Sequence, residues 1–315
     1  MERLLTAKTR LKFEDWAKID EYLKEINAKN YFACFPNLLV VNTVPKKGLF
    51  FITWRGKKRI IFYNRRFWKD IRILFESRPE DSELVNVLWK QLKPDHIGYS
   101  FVDSIPNGAK VFLEDFEFVH NLKCVAEMKG KLWKKVRKNC NTFIKANPAI
   151  KVVEATKNHK RAIFKFFREW AKFATKYFGY RVDMKEDIAF VKVFLGNSRT
   201  PGTLFIDGEK IIGIEFHTHC PSDRSIAIGL IKKNIRGYKC LGEFITKIQA
   251  YKTLSEGYME KNVYSGGKIG EVDFKKKFMC GGRTLSQCHY SIKSGAKLKE
   301  KTNFDKCFFK QVFFV

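Results

Sequence analysis

The most constraining feature of this chain is the run Gly202-Thr203-Leu204-Phe205-Ile206-Asp207-Gly208-Glu209-Lys210-Ile211-Ile212-Gly213-Ile214-Glu215-Phe216. Two apolar stretches flank Asp207-Gly208, a dipeptide that readily takes the positive φ angles of a two-residue turn. An antiparallel hairpin is therefore predicted here, and the flanking segments supply its partners. Upstream, a basic helix is predicted from about Lys129 to Ala146, stopped by Asn147-Pro148, then a strand over Lys151–Glu154. A helix over His159–Tyr177 carries Ile163, Phe166, Phe167, Trp170 and Phe173 at helical spacing, and another covers Lys185–Leu195. Downstream, a strand is predicted over Ser225–Leu230 and a helix over Ile235–Leu254. A strand over Tyr258–Tyr264, a short helix over Gly270–Phe278 and a closing strand over Thr284–Ile292 complete the order.

The first third reads as mixed α and β. A helix over residues 11–29 places Phe13, Trp16, Ile19, Leu23 and Ile26 on one face. Strand-like runs follow at Tyr31–Asn42 and Gly48–Trp54, parted by the turn Pro45–Gly48, and Arg59–Tyr63 extends the sheet. Leu84–Leu92 is a helix that Pro94 ends, and His96–Val102 and Val111–Phe112 are short strands.

The chain has 315 residues, 45% of them hydrophobic and 15% aromatic, which suits about two packed domains and excludes a disordered basic tail. No run approaches the roughly 18 to 20 apolar residues of a membrane helix, and Met1–Leu5 lacks the apolar stretch of a secretory signal. A soluble, cytoplasmic protein is expected. The eight cysteines are scattered without a Cys-x-x-Cys pair, which fits a reduced compartment. Glu215-x-His217-x-His219-Cys220 comes nearest to a metal-ligand composition, but without a second ligand pair a polar strand face is the preferred reading. No metal is expected.

Charge narrows the partners. The formal net charge is +28, of which residues 1–120 hold +5 and residues 121–315 hold +23. Such an imbalance costs self-repulsion in a compact chain and attracts polyanions. The strongest cluster holds Lys129, Lys131, Lys134, Lys135, Arg137 and Lys138 in ten residues with no acid. A second includes Arg55, Lys57, Lys58, Arg59, Arg65 and Arg66 among the aromatics Trp54, Phe62, Tyr63, Phe67 and Trp68, and a third is the tail Lys293–Lys310. Interleaved cations and aromatics favour nucleic acid over an anionic lipid surface, the competing use of such charge. Lys, Phe, Ile and Asn are abundant, as in an A+T-rich coding sequence of a phage or low-GC bacterium.

The element order of the second half resembles the GNAT acyltransferase fold. More specifically, it is similar to the C-terminal domain of phosphatidylglycerol lysyltransferases and to Fem-type peptidyltransferases. The likeness is carried by Phe116–His120 leading into Gly130–Asn139, by Thr203–Gly213, and by Gly266–Phe278 with its Phe-Lys-x-x-Phe element. It implies an α+β fold with a GNAT-like mixed central sheet flanked by helices. The domains expected are 1–114, a degenerate GNAT-like copy; 115–292, the catalytic domain; and 293–315, a basic tail.

The resemblance also implies a chemistry, direct attack of an amine or hydroxyl on an activated carbonyl. That chemistry needs a splayed pair of central strands, oxyanion donors and a base. The family position of the base is the strand after the hairpin turn, here Glu215 or His217. The donor-phosphate loop of ordinary GNAT enzymes corresponds to Arg236, Gly237, Lys239 and Gly242, where Lys239 replaces a glycine and Gly242 falls one residue late. Phe274 stands where many relatives carry a Tyr acid, and a phenyl ring has no proton to give. Lys275 matches the lysine that supports the reacting centre of Fem-type enzymes.

Two function classes follow. The first is an acyl or aminoacyl transferase with nucleic acid as donor, in aminoacyl-tRNA, or as acceptor, with acyl-CoA modifying a base or an amine on DNA. It would hold no tightly bound cofactor and would take a small acyl donor or acceptor as its second substrate. The second is a non-catalytic, nucleic-acid-binding GNAT module. Either leaves room for peripheral contact with a membrane.

Overall fold

The computed structural model describes residues 11–43, 47–54, 56–64, 70–75, 82–92, 96–102, 110–178, 182, 184–264 and 269–291. The chain divides into two compact units, Met1–Glu117 with Leu285–Phe314, and Phe118–Thr284. Arg55, Arg65, Arg66, Phe67, Trp68, Gly266, Gly267 and the tail from Lys293 lie outside the described residues.

In the first unit, α1 (Trp16–Glu25) and α2 (Phe35–Thr43) precede β1 (Lys47–Trp54), β2 (Lys57–Asn64), β3 (Asp70–Leu74), α3 (Ser82–Leu92) and β4 (His96–Val102). Strands β1, β2 and β3 are antiparallel neighbours, and α3 crosses over so that β4 joins β3 in parallel. Ile52, Ile61, Ile71, Ile73, Leu84, Leu88 and Ile97 form the core between that helix and the sheet. Residues 35–43 are helical where a strand was expected. Almost every side chain of α2 is buried, so this run is apolar all round, and a buried helix of that kind has the same pattern as a buried strand. Pro36 in the first turn favours the helix.

The second unit begins within β5 (Lys110–Asn121), a longer strand than the short run predicted. There follow α4 (Leu122–Glu127), α5 (Lys134–Ala146), β6 (Lys151–Glu154), α6 (Lys160–Phe178), α7 (Lys185–Phe194), β7 (Gly202–Asp207), β8 (Lys210–Cys220), β9 (Asp223–Asn234), α8 (Leu241–Ser255), β10 (Glu260–Asn262) and α9 (Ile269–Lys276). The predicted hairpin is present, with Gly208 at φ +57°. Strands β6, β7, β8 and β9 form an antiparallel meander, and α8 crosses over to β10, which runs parallel to β9. On the covering helices, α6 buries Ile163, Phe166 and Phe167, and Phe143 of α5 packs on Phe244 of α8 at 4.7 Å. The last strand, β11 (Arg283–Ser291), belongs from Leu285 onward to the first unit, where Cys288–Ser291 pair with β4. Among the described residues no helix is long and apolar enough to cross a membrane.

Candidate functional site

The place where the sheet of the second unit opens is set by the reach of β10. Glu260, Lys261 and Asn262 pair in parallel with Ile226, Ala227 and Ile228. Beyond them β9 continues to Asn234, whereas Val263 and Tyr264 stay bonded to Phe118 of β5 at 2.8 and 3.3 Å. The two parallel strands therefore part after Ile228 and Asn262. A splayed central pair is what carbonyl-transfer chemistry of this fold class was expected to need.

A row of buried polar groups crosses the closed end of this wedge. Register places Glu215 opposite Lys232, His217 opposite Gly229, and Lys261 opposite His120. Lys261 on β10 reaches over β9 to pair with Glu215 on β8, and Gly229 makes the passage possible. A Cβ at 229 would stand 3.3 Å from the Lys261 Cε. Burial pushes the Glu215 carboxyl up, but Lys261, with His217 beside it, outweighs this and holds it at about 2. His217 bonds through Nε2 to Glu256 Oε2 at 2.6 Å and sits with Nδ1 3.5 Å from Glu215 Oε2. Both Glu215 and His217 are at most 1% exposed. Burial, followed by the charges of Lys232 and Lys275, lowers the pKa of His120 to about 3.

The open end carries different groups. Lys232 on β9 lies past the point where the strands part, bonds Thr246 Oγ1 of α8, and has its Nζ 5.1 Å from the Phe274 ring centroid. The side chain is exposed, yet burial by surrounding protein is the largest cause lowering its pKa to about 7, followed by the charge of Lys261. Across the opening, Lys275 is held by the Tyr264 carbonyl at 3.1 Å. Lys232 on the β9 side and Lys275 on the β10 side thus flank the gap.

The loop leading into α8 is shaped otherwise than predicted. The helix starts at Leu241 rather than at 235, because β9 runs on to Asn234 and the turn follows with Gly237 at φ +99° and Cys240 at φ +67°. The Arg236 guanidinium stacks 3.6 Å from the Tyr177 ring centroid and 5.1 Å from that of Phe173, while Lys239 is exposed. Glu243 places a carboxylate in the first turn of α8, bonded by Asn139 at 3.2 Å and paired with Lys277 at 3.5 Å. That charge satisfies the positive end of the helix dipole and repels a phosphate. Gly242 faces α9, where a Cβ would meet the Phe274 ring at 3.2 Å. Gly242 is therefore a packing position between two helices.

The basic segment also divides. Residues 129–133 form a turn, and α5 begins only at Lys134, since Gly130 at φ +89° breaks the helix predicted from Lys129. Lys129, Lys131, Lys134, Lys135 and Lys138 are exposed, with Lys129 paired to Glu127 at 3.1 Å. Arg137 is turned inward, donating to the carbonyls of Met128 and, at 2.8 Å, Gly130. It ties the turn together and is not presented with the lysines. Among the described residues no group of three or more His, Cys, Asp and Glu is placed to hold a metal ion.

Sequence reasoning missed Lys232, Lys261, Thr246 and Glu243. The available signal was a lysine at a strand position opposite Glu215, legible only once the register of β8 and β9 is known.

The wedge, the hairpin and the crossover helix define a GNAT-like fold. No protein-family model matches the sequence, and no curated protein does. Solved structures do match the fold. A protein of unknown function from Bacteroides thetaiotaomicron has a TM-score of 0.73 at 14% identity, covering 91% of this chain and 99% of that one. L-PGS from Bacillus licheniformis has 0.64 at 10%, covering 98% and 99%. FemX has 0.59 at 9%, covering 91% and 98%. A tandem GNAT protein from the clavulanic acid biosynthesis pathway has 0.50 at 8%, covering 89% and 96%, and the fold is of the tandem GNAT-like kind, near L-PGS and FemX.

Proposed function

We propose that this chain is an acyl or aminoacyl transferase in which an amine or hydroxyl attacks an activated carbonyl between β9 and β10. The observation that carries this reading is the parting of those strands with Lys232 and Lys275 on either side. Past Ile228 the β10 side of β9 has no strand neighbour among the described residues. That edge suits an extended donor or acceptor, which backbone groups can bond as a further strand would. Lys275, anchored on the Tyr264 carbonyl, supplies a cation for the charge that develops on the carbonyl oxygen. Glu215 and His217 act at a distance: closed off by Lys261 and Glu256, they hold the wall of the wedge.

The +23 charge of residues 121–315 supports a nucleic acid as the second partner, with Lys131, Lys134, Lys135 and Lys138 offered to its phosphates. Glu243 at the α8 start and the engaged Arg236 weigh against a pyrophosphate on that loop, and so favour aminoacyl-tRNA over acyl-CoA as donor. A second reading, a binding module without catalysis, draws on Phe274, which has no proton to donate.

Mass spectrometry of acceptor amines and nucleic acids, after incubation with acetyl-CoA or with a pool of aminoacyl-tRNAs, separates the two. Transferred mass from the tRNA pool is expected. No transfer from either donor, with tRNA binding intact, would leave the binding module standing.

A further inference from the structure

We infer that Lys232 takes the proton from the attacking nucleophile and passes it to the departing group, a role that rests on the transferase reading above. Three observations place it there. Lys232 is an exposed residue on β9 just beyond the point where β10 departs, and so borders the space in which a carbonyl would be held. Its contact with Thr246 is polarised in one sense: the Thr246 hydroxyl gives its own hydrogen to the Gly242 carbonyl at 2.8 Å, and so accepts from Lys232. A neutral Lys232 amine therefore keeps its lone pair unspent. Finally, the charged groups around it oppose its protonated form. Lys261 from β10 and Lys275 from α9 repel it. Glu215 from β8 and Glu243 from α8 attract it, but Glu215 is committed to Lys261 and Glu243 to Asn139 and Lys277. His120 of β5, kept neutral by burial and then by Lys232 and Lys275, adds no charge.

Burial by the surrounding protein, the largest cause, together with these charges lowers the pKa of the amine from 10.5 to about 7, so that near neutral pH about half of it is free base. A general base works best with its pKa near the working pH. In the step, the acceptor ammonium loses a proton to the Lys232 amine. The freed amine bonds to the carbonyl carbon, the ester or thioester bond from that carbon to oxygen or sulfur breaks, and the nitrogen gives its second proton to water as the amide forms. The leaving oxygen or sulfur then takes the proton from the Lys232 ammonium, which returns to the neutral amine. No outside oxidant, reductant or further proton source is needed.

Two measurements on the full chain test this. In the first, brief acetic anhydride pulses from pH 5 to 11, read by peptide mass spectrometry, report the titration of each lysine amine. Lys232 is expected to label with a midpoint near 7. A midpoint near 10 would overturn its role as base and leave the transferase reading untouched. In the second, transfer from aminoacyl-tRNA or acetyl-CoA is followed against pH in wild type and Lys232→Arg, which keeps the charge but cannot release a proton. Wild-type kcat/KM should rise tenfold per pH unit below about 7 and level above it. Lys232→Arg should transfer about 100-fold or more slowly at pH 7, while binding tRNA as wild type does. Equal rates in the two proteins would overturn the inference. No transfer by wild type from either donor would overturn the transferase reading, and this role with it.

Discussion

Gly229 illustrates how one missing side chain organises the centre of the second unit. Because it is bare, Lys261 lies across β9 and meets Glu215, joining three strands through one buried ion pair. Gly229→Val should displace that lysine and strand the Glu215 carboxylate, and breaking a buried pair in this way costs about 3–5 kcal/mol. Urea unfolding at pH 7 measures it, and a loss under 1 kcal/mol would mean that the pair contributes little. The same pair sets an acid limit. Glu215 titrates at about 2 in the fold against an ordinary 4.5, so its stabilisation is complete above 4.5 and is lost as the pH falls toward 2. Glu215→Gln should flatten the stability profile across that window. None of this is legible in the sequence. In a chain with 61 Lys+Arg, Lys232 and Lys261 look like any other lysines. What singles them out is register and burial, both products of strands distant in sequence.

Elements were more readable than sites wherever local chemistry and tertiary context agreed. Asp207-Gly208 marked the β7–β8 hairpin, and the apolar stripe of α6 marked its buried face, because each signal is complete within its own segment. The α2 helix was not readable, since a run buried on all sides has no period to betray it. The late start of α8 was hidden because Arg236-Gly237 resembles a helix entry but turns the chain after a long strand. Within the hairpin, Gly202 lies opposite Phe216, and a Cβ there would come within 2.2 Å of that buried ring. Gly202→Ala should therefore cost about 1–3 kcal/mol through overpacking. Thermal unfolding checks it, and an unchanged midpoint would mean that the ring has room to move. In the turn before α5, Arg137→Met should lower stability and leave polyanion affinity nearly unchanged, since Arg137 spends its guanidinium on two carbonyls.

For the whole molecule, the charge asymmetry and the opening in the sheet belong to the same half of the chain. That half holds +23, and its exposed lysines on and before α5 are available to phosphates. The Lys134→Ala, Lys135→Ala, Lys138→Ala triple variant should weaken tRNA and duplex DNA binding alike. It should also lessen the slope of log affinity against log salt by two to three, about 0.9 for each phosphate that is no longer neutralised. An unaltered slope would move the polyanion surface elsewhere. The central claim, that carbonyl transfer takes place where β9 and β10 part, is tested most directly by structures with two inert donor analogues. These are an aminoacyl-amide analogue of the 3′ end of aminoacyl-tRNA and a non-hydrolysable acetyl-CoA analogue. The carbonyl of one of them is expected between the two strands, within hydrogen-bond reach of Lys232 and on the side facing Lys275. A carbonyl seated elsewhere, or both analogues failing to bind a chain that still binds tRNA, would contradict it.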